Sequence, residues 1–182
     1  MTTSLIPIPE NAIFLSDTLF KLSKPTILTA DEFDAYWPLV STVYTKIGGV
    51  LKQQNGDVEV QKYECRLRKS KTGSRPPPLK DGVKKRYGTT VRQPGLCQVR
   101  IKITRTVAEP VVVTIECMDD EQHQHDLDRS REVAPSSLAI QLAAGEAAKG
   151  YATAQVLNAL KGVGTSQGTT RLEVVGGTHM TR

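Results

Sequence analysis

From Cys97 to Met118 the chain reads CQVRIKITRTVAEPVVVTIECM, with apolar and polar residues alternating along its first run. Val99, Ile101 and Ile103 fall on one face, and Arg100, Lys102 and Thr104 on the other. A period of two belongs to a β-strand with one buried face. Ala108, Glu109 and Pro110 form the turn into VVVTIECM, so the segment is expected to be a hairpin. An earlier stretch repeats the pattern. GVLKQQ and VEVQKYECRL flank QNGD, and Asn-Gly suits a tight turn that needs positive φ. Two hairpins commit the centre of the chain to an antiparallel sheet.

Helical patterns lie on either side. Thr29 followed by Glu32 makes a capping box for DEFDAYWPLVSTVYTKIG, whose Phe33, Trp37, Val40 and Tyr44 give one aromatic stripe. Pro38 should kink or split that helix, and Gly48 and Gly49 should end it. After Pro135, SSLAIQLAAGEAAK runs to Gly150 and TAQVLNALK to Gly162. The expected division is a flexible leader over 1–28, a sheet domain over 29–132, a looser helical segment over 133–162 and a polar tail over 163–182. Within the leader, AIFLSDTLFKL has helical apolar spacing but reads as a frayed end.

Charge is unevenly spread. Between Arg66 and Arg92 lie ten Lys and Arg against one Asp, so that segment carries +9 of a chain whose net charge is +5. The remainder is therefore −4. Three consecutive prolines and scattered glycines make the same segment a long loop. A concentrated basic loop is an electrostatic footprint for phosphate. A solvated loop, or an import signal built on Lys84, Lys85 and Arg86, is the plainer reading. Arg100 and Lys102 on the polar strand face, with Lys52 near the end of the first hairpin strand, add to the DNA reading. The candidate DNA-contacting residues are Lys52, Arg66, Arg68, Lys69, Lys71, Lys84, Lys85, Arg86, Arg100 and Lys102. No stretch approaches the apolar length of a membrane span, so no membrane partner is expected. The N-terminus lacks the basic start of a secretory signal.

The three cysteines are odd in number and widely spaced, which does not suit a disulfide framework. Cys65 ends one strand, Cys97 opens another, and His123 and His125 follow the partner strand. Strand ends converge at the rim of a sheet, and residues two apart on extended chain face the same way. Cys65, Cys97, His123 and His125 are thus candidate ligands for one ion, with the thiolate and imidazole donors zinc prefers. Cys117 counts onto an apolar face and reads as a core thiol. HQHDLD fails the H-x-H-x-D-H pattern of metallo-hydrolases, because Leu127 and Asp128 stand where Asp and His are required. Asp119, Asp120 and Glu121 read as a solvated turn. No nucleophile arrangement is visible, so an enzyme is not expected.

The order helix, hairpin, Y-x-C, basic loop, C-x-V-x-I-x-I, hairpin and H-x-H-D-L resembles the zinc domain of the WRKY–GCM superfamily. The branch of far-red-impaired-response proteins, FLYWCH fingers and Mutator-like transposases is the most similar. DEFDAYWPLVSTVYTKIGGVLK with KYEC is similar to its opening helix, glycine turn and first ligand strand, and CQVRIKI with HQHDLD to its third strand and signature. The resemblance covers about residues 30 to 130 and implies that Cys65, Cys97, His123 and His125 bind a single structural zinc ion. The cysteine-to-cysteine loop is longer than in plant WRKY domains, and TKIGGVL stands where a WRKYGQK-like heptapeptide would be. Base-reading residues therefore do not carry over. PSSLAIQLAAGEAAKGYATAQVLNAL resembles the helical segment that follows the finger in transposase-derived chains.

The expected fold is α+β: a small zinc-bound antiparallel sheet domain with an N-terminal helix, followed by a C-terminal helical segment. The expected function is zinc-dependent, sequence-specific binding of double-stranded DNA in the nucleus, by a transcription regulator or transposase-derived protein. Besides DNA, a homodimer or protein partner through the helical segments is an expected partner, and a zinc-stabilised protein-interaction module without direct DNA readout is the alternative function.

Overall fold

Apolar strand faces need a cover, and in the computed structural model helices from both ends of the chain supply it. The structure describes residues 7–53, 56–68, 95–119, 121–161 and 171–180. In chain order the elements are α1 (Ala12–Lys21), β1 (Thr26–Thr29), α2 (Ala30–Tyr36), β2 (Tyr44–Gln53) and β3 (Val58–Cys65). Then come β4 (Arg100–Thr106), β5 (Val112–Cys117), α3 (Leu127–Val133), α4 (Ser137–Ala147), α5 (Thr153–Lys161) and α6 (Arg171–Val174). The fold is α+β, as expected.

Both expected hairpins are present, β2 with β3 and β4 with β5, in one antiparallel sheet of order β1-β5-β4-β3-β2. Ile101, Ile103, Val113 and Ile115 turn inward and are at most 6% exposed. Cys117, opposite Ile101, packs half-buried against this core rather than fully inside it.

The leader expected over 1–28 is corrected for its described part. Residues 12–21 form α1, with Ala12, Leu19 and Phe20 buried, and Thr26–Thr29 pair with β5 as an edge strand. The apolar side of α1 fits the sheet domain itself, and that burial holds it.

The helix after Thr29 is shorter than expected. Its capping box is complete: the Thr29 hydroxyl accepts from the Glu32 amide, and the Glu32 carboxylate accepts from the Thr29 amide at 2.8 Å. The α-helix stops at Tyr36, and Trp37–Leu39 and Ser41–Val43 are 3₁₀ turns. Pro38 lacks the amide that would continue the helix. Tyr44 already belongs to β2, and Gly48, at φ 63°, lies where the β2–β3 register shifts between Ile47 and Leu51. The glycine pair is thus a bulge, a conformation that a side chain at positive φ would strain.

The C-terminal helices are not a looser unit. Leu138, Ala139, Leu142, Val156, Leu160, Leu172 and Val175 join the same apolar cluster as the strands. Ser136 caps α4 by accepting from the Ala139 amide, and its hydroxyl donates to the Val175 carbonyl. Residues 171–175, expected in a polar tail, are therefore anchored, because Leu172 and Val175 have core to bury into.

Candidate metal centre

Four chain segments meet at one corner of the sheet. Cys65 closes β3 beside Tyr44 of β2, and its amide donates to the Val99 carbonyl at 2.9 Å. Cys97 arrives through a turn at Gly95 (φ 76°), just before β4. His123 and His125 lie between β5 and α3. Asp126 caps α3 by accepting from the Arg129 amide at 2.7 Å, which fixes the backbone next to His125.

One donor atom from each of Cys65, Cys97, His123 and His125 lies within 4.8 Å of every other, so the four can hold one metal ion. Cys65 Sγ lies 3.2 Å from His125 Nε2, Cys97 Sγ 3.3 Å from His123 Nδ1, and His123 Nδ1 3.2 Å from His125 Nε2. Zinc–ligand bond lengths at a tetrahedral angle require edges of about 3.3 Å between two nitrogens and about 3.6 Å between sulfur and nitrogen. The observed spacing is close to that.

The outward nitrogens decide the tautomers. His125 Nδ1 is 2.9 Å from the Asp126 carbonyl, which can only accept, so that nitrogen carries the proton. Its Nε2 lone pair then points into the cluster. His123 Nε2 is 3.2 Å from the Tyr44 hydroxyl, which is itself 3.4 Å from the carbonyls of Leu19 and Phe20. A phenol proton given to those carbonyls leaves the phenol oxygen to accept from Nε2–H, and His123 Nδ1 then also faces inward unprotonated. Two imidazole lone pairs 3.2 Å apart repel unless a cation lies between them.

The thiols reinforce this reading. Cys65 and Cys97 are both 0% exposed. The hydrogen bond from Cys65 holds the Cys97 thiol well below the usual thiol range, against burial and with help from both imidazoles. The same contact, with burial, pushes Cys65 up, although amides of Leu67 and Arg68 favour its thiolate. Two adjacent buried thiols cannot ionise together without a counter-charge, which a divalent ion supplies. For His125, burial disfavours the charged ring, but the Cys97 and Asp126 contacts outweigh it and raise its pKa. Desolvation raises the pKa of Tyr44 well above the phenol range, so its hydroxyl keeps the proton it donates.

Aromatic rings close the site. Phe20 stacks on His123 with centroids 4.1 Å apart and planes 12° apart, and meets His125 edge-on at 5.5 Å. Sequence alone predicts neither Phe20 nor Tyr44 here, since residues 12–21 read as leader and Tyr44 as helical. The legible signal was strand pairing: Tyr44 in β2 lies opposite Cys65.

Among the described DNA candidates, Arg68, Arg100 and Lys102 lie near one another, with Glu64 opposite Arg100 and 3.9 Å from Arg68, whereas Lys52 sits towards the far end of β2. Arg100 grips Asp119 with two bonds of 2.8 Å, Lys102 pairs with Glu116 at 2.7 Å, and both lie on β4, an interior strand. Lys52 lies 3.6 Å from Glu59, Arg68 lies 3.9 Å from Glu64, and Arg66 Nε donates to the Thr42 carbonyl at 2.7 Å. Lys69, Lys71, Lys84, Lys85 and Arg86 lie outside the described residues. The sheet edges are β1 and β2, so the cations at an edge are Lys46 and Lys52 of β2, not those of β4. Asp120 also lies outside the described residues, and Asp119 is engaged by Arg100.

No family model, no curated protein and no solved structure matches the chain.

Proposed function

We propose that this chain is a zinc-dependent protein that binds double-stranded DNA in a sequence-specific manner, acting in the nucleus as a transcription regulator or a transposase-derived protein. One observation carries the metal half of this reading: one donor atom from each of Cys65, Cys97, His123 and His125 lies within 4.8 Å of every other. Two thiolates and two imidazoles suit zinc, and four protein ligands complete its coordination, so the role is structural rather than catalytic. Bound zinc supplies a counter-charge that holds three distant strand ends together. The chain's own residues do the rest, with Tyr44 and the Asp126 carbonyl orienting the imidazoles.

Charge supports the DNA half. The segment between Cys65 and Cys97 concentrates the positive charge of the chain. The exposed β2 edge carries Lys46 and Lys52 around the Gly48 bulge. Loop cations gripping phosphates and a strand edge in the major groove form a coherent footprint.

Protein purified without chelator is expected to contain one zinc per chain. Cys97→Ser should lose both the metal and cooperative unfolding, and a folded, metal-free wild-type protein would sink the reading. DNA affinity should then fall by about 10³- to 10⁵-fold between 50 and 200 mM salt for a footprint of six to ten phosphates. A protein-interaction module is the second reading. It is favoured by the exposure of Ile13 and Phe14 on α1, 58% and 70%, and predicts binding with little salt dependence.

A further inference from the structure

We propose that α1 is a lid on the metal centre, and that Phe20 and Tyr44 are positioning residues that control how fast the ion leaves. This rests on the metal reading above and adds to it a route of exit and its gate.

The donor set has a closed side and an open side. Cys65 and Cys97 are fully buried beneath the cluster. The imidazole side faces a cleft of about 620 Å³, lined by Phe20, Lys21, Ser23, Gln122, Gln124 and Asp126 beside the two histidines. Water or a competing ligand reaches the cluster from that side. Phe20 lies across the approach, only 5% exposed, with its ring flat on His123. An ion cannot depart without an imidazole turning away, and the stacked ring blocks that rotation.

Tyr44 locks the same imidazole from its other edge. Its hydroxyl joins His123 Nε2 to the carbonyls of Leu19 and Phe20. Those carbonyls belong to the last turn of α1, where a helix has no further amides to satisfy them. One phenol therefore completes the helix end and aims a metal ligand. The coupling runs both ways: a docked α1 holds His123 in its ligating pose, and a ligating His123 gives α1 its landing site. Outer partners of this kind set ligand orientation and metal affinity.

The test uses the full chain loaded with zinc, with transfer to a chromophoric chelator followed by absorbance. Trp37, the chain's one tryptophan, stacks on Tyr44 at 5.8 Å and reports the same event by fluorescence. Tyr44→Phe keeps the ring and removes only the hydroxyl. It should weaken zinc affinity roughly 10- to 100-fold and speed release to match. Phe20→Ala should also speed release. Leu160→Ala, a buried α5 change away from the imidazoles, should leave the release rate near wild type. Hydrogen exchange across residues 15–22 should slow on zinc loading, and less so in Tyr44→Phe. If Phe20→Ala does not fold, Tyr44→Phe decides. Wild-type release in Tyr44→Phe, or equal acceleration in Leu160→Ala, overturns the lid while leaving the metal site standing. A wild-type chain that binds no zinc overturns both.

Discussion

At the residue scale, the arrangement turns on atoms that a spacing pattern does not register. His-x-His places two imidazoles on one side of an extended segment, yet the two rings use different nitrogens. His123 presents Nδ1 and His125 presents Nε2, because the Tyr44 hydroxyl and the Asp126 carbonyl hold the others. A glycine shows the same dependence on surroundings. Gly177 reads from sequence as part of a polar tail, but a Cβ there would sit 2.5 Å from Leu172 Cδ2 and 3.0 Å from the Ala139 side chain. Gly177→Ala is therefore expected to cost about 1–3 kcal/mol through overpacking, read by urea denaturation, with zinc stoichiometry unchanged. The four metal candidates were legible because thiol and imidazole side chains are rare and sat at strand ends. Phe20 and Tyr44 were not legible as neighbours, because nothing in their local pattern shows what a distant helix end will cover.

At the scale of elements, local signals held where they were short-range and failed where packing decided. The Thr29–Glu32 box is realised in full, and Thr29→Ala should cost about 1 kcal/mol in thermal or chemical unfolding. The helix it starts was read too long, since the aromatic stripe at three- and four-residue spacing continues through two 3₁₀ turns into a strand. Phe33 stacks on Trp37 and Trp37 on Tyr44, so the stripe is real although the helix ends beneath it. α6 is the reverse case. Four residues of helix have no autonomous stability, and this element exists because Leu172 and Val175 are buried, at 1% and 0% exposure. Leu172→Ala is expected to cost about 2–5 kcal/mol, enough to lower the unfolding midpoint visibly, while Val174, only half-buried, should tolerate the same change better.

At the scale of the whole molecule, the sheet is a platform with helices on one side and charge on the other. Its outward face carries paired ions, Lys102 with Glu116 and Arg100 with Asp119, so under the DNA-binding proposal the cations between Arg66 and Arg92 carry most of the positive charge. Replacing Lys84, Lys85 and Arg86 with Ala should lower the slope of log affinity against log salt by about one unit per lost phosphate contact, measured on duplex DNA. Zinc content should not change, because none of the three is a ligand. The sequence by itself determined the two hairpins, the capping box, the four converging donors and the concentration of charge, since each depends on neighbours a few residues apart or on rare side-chain chemistry. Only the tertiary structure decided that residues 12–29 belong to the domain, that β2 rather than β4 is the basic edge, and that α1 lies over the histidines. Those outcomes depend on which apolar faces find each other across the chain, and an apolar face carries no label for its partner.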